Sequence, residues 1–215
     1  MAIKTLFFDL DDTLYPPSSG VWDAILKRIE TYMHERLNIA WEDIPRLRIE
    51  LFQKYGTTLR GLQILWHIDE HEFVDFVHDV PIDQLLLPDP ALRAMLLSYP
   101  QRKFIFTNAD RNHAGRVLNR LGIGDCFSGI IDILDISPYC KPMPEAFAIA
   151  MRLAEVSSAN ECLFIDDGIN NLLAARSLGF YTIQVGSQAA NEQCHAAITG
   201  MKMLPQALDL LLETD

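Results

Sequence analysis

Long apolar runs are missing from this chain. None approaches the ~20 residues that a membrane-spanning helix needs, and the apolar stretch at the N-terminus is short, lacks a basic leader and is broken by Asp9 and Asp11. No secretory signal is read from it. Positive charge is scarce: 18 Lys and Arg against 29 Asp and Glu give a formal net charge of −11. That balance disfavours a nucleic-acid or anionic-membrane surface as partner. Cysteine is sparse too. Cys126, Cys140, Cys162 and Cys194 show neither C-x-x-C nor zinc-ligand spacing and no disulfide framework, so they read as free thiols and the expected compartment is the cytoplasm. Internal repeats and low-complexity tracts are absent. The chain is rich, by contrast, in apolar residues, 49% of 215, ample for a sizeable core and far from the composition of disorder.

Acidic chemistry starts at once. Ile3-Lys4-Thr5-Leu6-Phe7-Phe8 suits a short strand buried on both faces and leads into Asp9-Leu10-Asp11-Asp12-Thr13-Leu14. An unpaired carboxylate is costly to bury, so acids at the end of such a strand need a metal or a lysine. Alternate residues of a strand share a face, which lets Asp9 and Asp11 converge if the extended geometry persists that far. The pair suits nucleophile plus acid/base work around a hard cation such as Mg2+. An acidic turn capping a helix is the plainer alternative. Asp12 is read as a turn or solvent-facing residue, and Thr13 as holding the turn through its hydroxyl.

Further apolar runs end in polar groups. Lys103-Phe104-Ile105-Phe106 runs into Thr107-Asn108. A run with Ile130, Ile131, Ile133, Leu134 and Ile136 precedes Lys141 in Cys140-Lys141-Pro142-Met143-Pro144. Cys162-Leu163-Phe164-Ile165 runs into Asp166-Asp167-Gly168. Polar clusters that trail strands fit the edge at which open α/β sheets bind ligands.

Between these motifs the hydrophobic period changes. Trp22, Ile25, Ile29, Met33 and Leu37 recur at helical spacing, and Ile44, Leu47, Leu51, Phe52 and Tyr55 form a second stripe that Gly56 can stop. Shorter helical pieces follow over residues 59–67 and 69–80. From residue 88 onward helices and strands alternate: strands over 104–106, 130–134, 162–165 and 181–185, and helices over 91–98, 111–121, 169–178 and 204–212, with another opening at Pro144. Asn108 and Asp110 are both candidate N-caps for the helix over 111–121. Such alternation implies an α/β fold with a doubly wound parallel sheet. Residues 1–14 and 88–215 are then the core, and 15–87 a helical insert after the first strand.

The ordered set D-x-D-x-T, strand-terminal Thr, Lys and acidic pair resembles the haloacid dehalogenase (HAD) superfamily, across the whole chain. The resemblance implies a Rossmann-like core, a mobile helical cap over residues 15–87, and a Mg2+-dependent hydrolase acting through an aspartyl-phosphate. It makes Asp9 the nucleophile and Asp11 the acid/base, with the Asp11 backbone carbonyl as a metal ligand. Thr107, Asn108 and Lys141 would bind the phosphoryl group, Asn108 being equally suited to N-capping. Asp167 falls on the metal-ligand position, with Asp166 behind it orienting Lys141 or a metal-bound water. Asn171 would hold the loop or a water. His113, flanked by Arg111 and Arg116 in a predicted helix, is read as part of a solvated face.

Phe-Phe-Asp-Leu-Asp-Asp-Thr-Leu-Tyr-Pro, Phe106-Thr107-Asn108-Ala109 and the stretch Tyr55-Gly56-Thr57-Thr58-Leu59-Arg60-Gly61-Leu62 are similar to the pyrimidine 5′-nucleotidase branch. That likeness implies a small phosphorylated metabolite as partner, a nucleoside monophosphate, with Arg60 as a substrate contact from the cap; the sequence leaves the oligomeric state open, with a monomer favoured. Phosphomutases keep both aspartates and stay open as alternatives. Dehalogenases do not need Asp11, and phospho-receiver domains carry the acidic pair and the phosphorylated aspartate in the reverse order.

Overall fold

The computed structural model describes residues 3–187 and 193–212. Residues 1, 2, 188–192 and 213–215 of the expected core lie outside the described residues. The framework is a six-stranded sheet in which every paired neighbour is parallel. Its strands in chain order are β1 (Thr5–Phe8), β2 (Arg102–Phe106), β3 (Gly129–Ile131), β4 (Cys162–Asp166), β5 (Tyr181–Val185) and β6 (Ala196–Ile198), arranged β3-β2-β1-β4-β5-β6. After β3 the chain crosses back over β1 to add β4 on its other side. This reversal of direction is the position at which such sheets form a crevice beyond their carboxyl ends.

β1 sits at the centre because both of its faces are apolar. All four residues are buried, and Phe7 packs against Phe104, Phe106 and Phe180 with ring centroids 5.9, 6.4 and 6.1 Å apart. Each fully buried side chain of this kind contributes about 1.5–3 kcal/mol relative to exposure. The register Phe8↔Ile105 and Phe8↔Ile165 brings the ends of β1, β2 and β4 level. The residues just beyond all three strands therefore emerge together.

Helices α1 (Val21–Leu37), α2 (Ile44–Tyr55), α3 (Thr58–Trp66), α4 (Glu70–Val77) and α5 (Ile82–Leu85) fill the segment between β1 and β2. Ile25, Ile29 and Met33 of the expected α1 stripe are buried, whereas Trp22 stays 41% exposed. Two side-chain caps fix the shorter pieces: Thr57 accepts from the Arg60 N–H and Asp69 from the Glu72 N–H. Gly56, at φ 86°, joins α2 to α3 where a Cβ would stand 2.7 Å from Cys140 Sγ, so the helical insert touches the loop that carries Lys141. The remaining helices, α6 (Pro90–Ser98), α7 (Arg111–Leu121), α8 (Pro144–Leu153), α9 (Ile169–Ser177) and α10 (Leu204–Leu212), belong to the sheet part of the fold.

The structure departs from expectation in three places. β3 ends at Ile131 rather than at residue 134, because Asp132 Oδ1 accepts from the Leu134 and Asp135 N–H groups at 3.1 and 2.8 Å and turns the chain. The short elements β6 and α5 also exist, each too brief to leave a periodic pattern. Asp110, not Asn108, caps α7, accepting from the Asn112 and His113 N–H groups.

Candidate active site

β1 delivers two acids. Asp9 continues the ladder by one bond, its N–H donating to Ile165 O at 2.9 Å. Leu10 is buried between Asp9 and Asp11, and both acids line one cavity of about 370 Å³. The chain then turns sharply, with Asp12 at φ 58° and the Leu14 N–H donating to Leu10 O. Aspartate tolerates that left-handed conformation better than most residues. Asp12 also lines the cavity, and burial together with Asp167 and Asp11 pushes its carboxyl up to about 6.

Lys141 reaches the same point from the loop after β3. Its Nζ donates to Asp9 Oδ1 at 2.6 Å and to Asp166 Oδ2 at 2.9 Å, and its side chain is 1% exposed. Burial alone would favour the neutral amine, but Asp166 and Asp9 hold the ammonium well above the ordinary lysine value. Asn108 sets the backbone there. Its Oδ1 accepts from the Lys141 N–H at 2.9 Å and its Nδ2 donates to Lys141 O at 3.0 Å. The amide positions Lys141 through these two bonds, and Asn108 also lines the cavity, with the second Nδ2 proton not engaged in them. Thr107 lines the cavity, its Oγ1 accepting from the Ala109 N–H at 3.0 Å. Its hydroxyl proton has no acceptor among the described residues.

Asp9, Asp166 and Asp167 each offer an oxygen within 4.8 Å of the others, the one metal-compatible cluster among the described residues. Asp166 is fully buried, and its oxygens take Lys141 Nζ, Asn171 Nδ2 and the Gly168 N–H. Asp9 and Asp167 are the pair facing the cavity. Thr13 ties them together, donating its single proton to Asp9 Oδ2 (3.3 Å) or Asp167 Oδ1 (3.2 Å) while accepting from the Asp167 N–H at 3.1 Å. Burial, with repulsion among the acids, pushes Asp9 up to about 7 and Asp167 up to about 6.

A second network surrounds Asp11. His113 Nε2 lies 2.8 Å from Asp11 Oδ1, and the Tyr15 hydroxyl donates to the same oxygen. Burial opposes ionisation of Asp11, but His113 and Tyr15 outweigh it and hold the carboxyl below its ordinary value. With one oxygen clamped by two donors, Oδ2 is left for proton exchange with a ligand. His113 is completely buried, stacked at 4.6 Å on His78, whose Nδ1 lies 2.5 Å from Asp110 Oδ2. The expected solvated histidine is therefore wrong. A signal for burial exists in the chain: His113, Val117 and Leu121 recur at four-residue steps on the buried face of α7.

Arg60 is not at this site. Its guanidinium is 3% exposed and donates to Ile133 O, Tyr139 O, Gln63 and Glu70 at 2.7–3.1 Å. These partners leave it no donor to spare for a substrate, which corrects its assignment as a cap contact. It instead bolts α3 to the turn after β3.

A parallel α/β sheet with a carboxylate pair after its first strand, a buried lysine and an acidic pair after its fourth describes a class of hydrolases with a helical insert. The haloacid dehalogenase-like hydrolase family model matches residues 3–179, and the chain belongs to that family. It is 32% identical over 192 residues to "Phosphate metabolism protein 8" of Saccharomyces cerevisiae, covering 83% of this chain and 60% of that protein, so it spans less than two thirds of that relative's length. It is 27% identical over 199 residues to the "Glyceraldehyde 3-phosphate phosphatase" of Pyrococcus abyssi, covering 84% of this chain and 80% of that one. Among solved structures, the putative HAD-hydrolase YfnB of Bacillus subtilis bound to magnesium superimposes with a TM-score of 0.66 at 19% identity, covering 97% of this chain and 100% of that one. That likeness establishes the fold.

Proposed function

We propose that the protein is a Mg2+-dependent phosphomonoesterase working through an aspartyl-phosphate on Asp9, with a pyrimidine nucleoside 5′-monophosphate as substrate. The observation that carries the phosphatase reading is the buried Lys141 ammonium held between Asp9 and Asp166 in the wall of a cavity that Thr107 and Asp167 also line. Both curated relatives carry names from phosphate metabolism.

In the proposed reaction Asp9 attacks phosphorus, and the ester P–O bond breaks as the Asp9–phosphorus bond forms. Asp11 gives its proton to the leaving oxygen, then takes one from the water that attacks the aspartyl-phosphate, releasing inorganic phosphate and restoring Asp9. His113 and Tyr15 favour the carboxylate form of Asp11, which suits the second step. An incoming phosphate dianion opposes that preference and helps Asp11 carry the proton needed in the first. Lys141 offsets one of the charges on Asp9 and Asp166 and stabilises charge on the phosphoryl oxygens. Thr107 donates to one of those oxygens.

The residues fit a divalent ion. Three ionised carboxylates against one ammonium leave two negative charges uncompensated, and an all-oxygen donor set suits a hard cation. Asp9, Asp167 and the Asp11 carbonyl would hold it, with Asp166 bracing the group from behind. When bound, Mg2+ supplies charge neutralisation for the phosphoryl oxygens.

Residues 15–87 act as a cap over a core of residues 1–14 and 88–215. The bonds from Arg60 to the Ile133 and Tyr139 carbonyls, from His78 to Asp110, from Arg116 to the His78 and Val80 carbonyls and from Ser137 to Glu70 are among those that opening of the cap would break. No disulfide joins the cysteines among the described residues, which suits a cytoplasmic compartment, and among those residues no helix is long and apolar enough to cross a membrane; a monomer is proposed. The test is phosphate release from a panel with Mg2+. UMP and CMP should outrun sugar phosphates and glyceraldehyde 3-phosphate. Equal rates across the panel would leave a phosphatase of broad specificity.

A further inference from the structure

The part of the cavity wall contributed by the helical insert is mostly apolar and carries one guanidinium. Trp22, Ile25 and Ile29 of α1, Phe52 of α2 and Phe73 of α4 line it, and Arg48 lines it one helical turn before Phe52. Trp22 is 41% and Phe52 52% exposed, although both belong to stripes whose other members are buried in the core or packed against it. Large aromatic side chains left open toward a cavity are unfinished packing that a ligand can complete.

Arg48 is unfinished as well. Its side chain is 23% exposed, and its Nε–H is enclosed without a hydrogen-bond partner among the described residues. The neighbouring acid, Glu30, stands 3.9 Å away at Oε1, beyond hydrogen-bond reach. An enclosed N–H that has lost water and gained no acceptor is a cost the fold bears, and a shift of the side chain, 23% exposed on the cavity wall, that brings it to a ligand oxygen would relieve it. Arg60 offers the contrast, since its guanidinium is fully engaged within the protein.

The charge around Arg48 selects the acceptor. Glu30 already supplies a carboxylate beside the guanidinium, and Asp12 is another acid on the same cavity. A second anionic group on the substrate would meet both. A neutral carbonyl oxygen on a flat ring meets neither objection, and the ring face can lie against the aromatic wall. We propose that Arg48 is a specificity residue that donates to the carbonyl oxygen of a planar heterocycle on the leaving group, held against Trp22, Phe52 and Phe73. A pyrimidine nucleobase presents that chemistry. This rests on the phosphomonoesterase reading and narrows it.

The test compares UMP with ribose 5-phosphate, which keeps the phosphate and the sugar but has no ring carbonyl. Wild type, Arg48→Met and Arg48→Lys are assayed, with equilibrium binding of UMP measured in EDTA alongside. Wild type should favour UMP. Arg48→Met keeps an apolar stem and should lower kcat/KM for UMP about 10- to 100-fold, mainly through KM, the range expected for losing a charged hydrogen bond. Ribose 5-phosphate should fall far less, and Arg48→Lys should recover only part of the loss because it lacks the planar fork. UMP binding in EDTA should weaken by a comparable factor in Arg48→Met. The proposal is overturned if wild type does not discriminate between the two substrates, or if Arg48→Met leaves their ratio and UMP binding unchanged. If wild type hydrolyses neither ester yet binds UMP through Arg48, the phosphatase reading fails and the Arg48 assignment stands.

Discussion

His113 Nε2 lies 2.8 Å from Asp11 Oδ1 although the two residues are 102 positions apart in the chain. The imidazole is fully buried and Asp11 only partly so. With the Tyr15 hydroxyl on the same oxygen, the contact fixes one edge of the carboxylate and leaves the other for proton transfer. On the proposed mechanism His113 is a positioning residue. His113→Ala should lower kcat about 10- to 100-fold for alkyl phosphates, part of the 10²–10⁴ typical of a general acid/base. p-Nitrophenyl phosphate, whose leaving group needs little protonation, should suffer less, and His113→Gln should recover part of the activity. A uniform loss on every leaving group would mark His113 as merely structural.

Arg60→Ala should act on stability. Removing a buried guanidinium strands the Ile133 and Tyr139 carbonyls and the Glu70 carboxylate, at a cost of about 2–4 kcal/mol. Denaturant melts should show that loss, with relative kcat/KM values across nucleotides and sugar phosphates unchanged. A selective rise in KM for nucleotides would return Arg60 to the substrate site.

Arg60 and Lys141 illustrate how much of the site is legible in the sequence. Asp9, Asp11, Thr107, Lys141, Asp166 and Asp167 can be found because each lies just beyond an apolar strand or in its loop, and parallel strands in register bring their trailing residues to one edge. Arg60 and His113 sit on helices, where spacing assigns a face but not the element that packs on it. The stripes containing Trp22 and Phe52 read as core, since periodicity does not distinguish a face turned to the core from one turned to a cavity. The pattern overextends β3 because Ile133 and Leu134 look like strand, while the Asp132 side chain decides the turn by capturing two N–H groups.

Metal dependence should be tied to pH. Asp9 is pushed up to about 7, and Asp12 and Asp167 to about 6, against an unfolded value near 3.8. Between those limits the metal-free folded protein binds more protons than the unfolded chain, so these groups make its stability fall as pH rises through the window. A divalent ion needs the carboxylates ionised and must displace those protons below about pH 7. The rise in Tm from EDTA to Mg2+ should therefore be larger at pH 7.5 than at pH 5. His78 and other groups remote from the cluster cancel in that difference. A rise independent of pH would remove these acids from the metal site.

Lys141→Met should abolish turnover while testing whether the ammonium holds the pair in place. Asp9 and Asp166 would lose their buried counter-charge, and the folded protein should be destabilised by about 3–5 kcal/mol at neutral pH in EDTA. Part of the loss should return at pH 5, where protonation of the acids relieves their repulsion. Stability equal to wild type at pH 7.5 would contradict the charge balance assigned to the site.

The most direct measurement is mass spectrometry of acid-quenched protein after brief exposure to UMP and Mg2+. A phosphoryl group should appear on the peptide that contains Asp9, be absent from Asp9→Asn, and accumulate in Asp11→Asn when p-nitrophenyl phosphate, whose leaving group needs little protonation, replaces UMP. Steady phosphate release by a protein that never carries the phosphoryl group on Asp9, or by Asp9→Asn at the wild-type rate, would contradict the proposed mechanism.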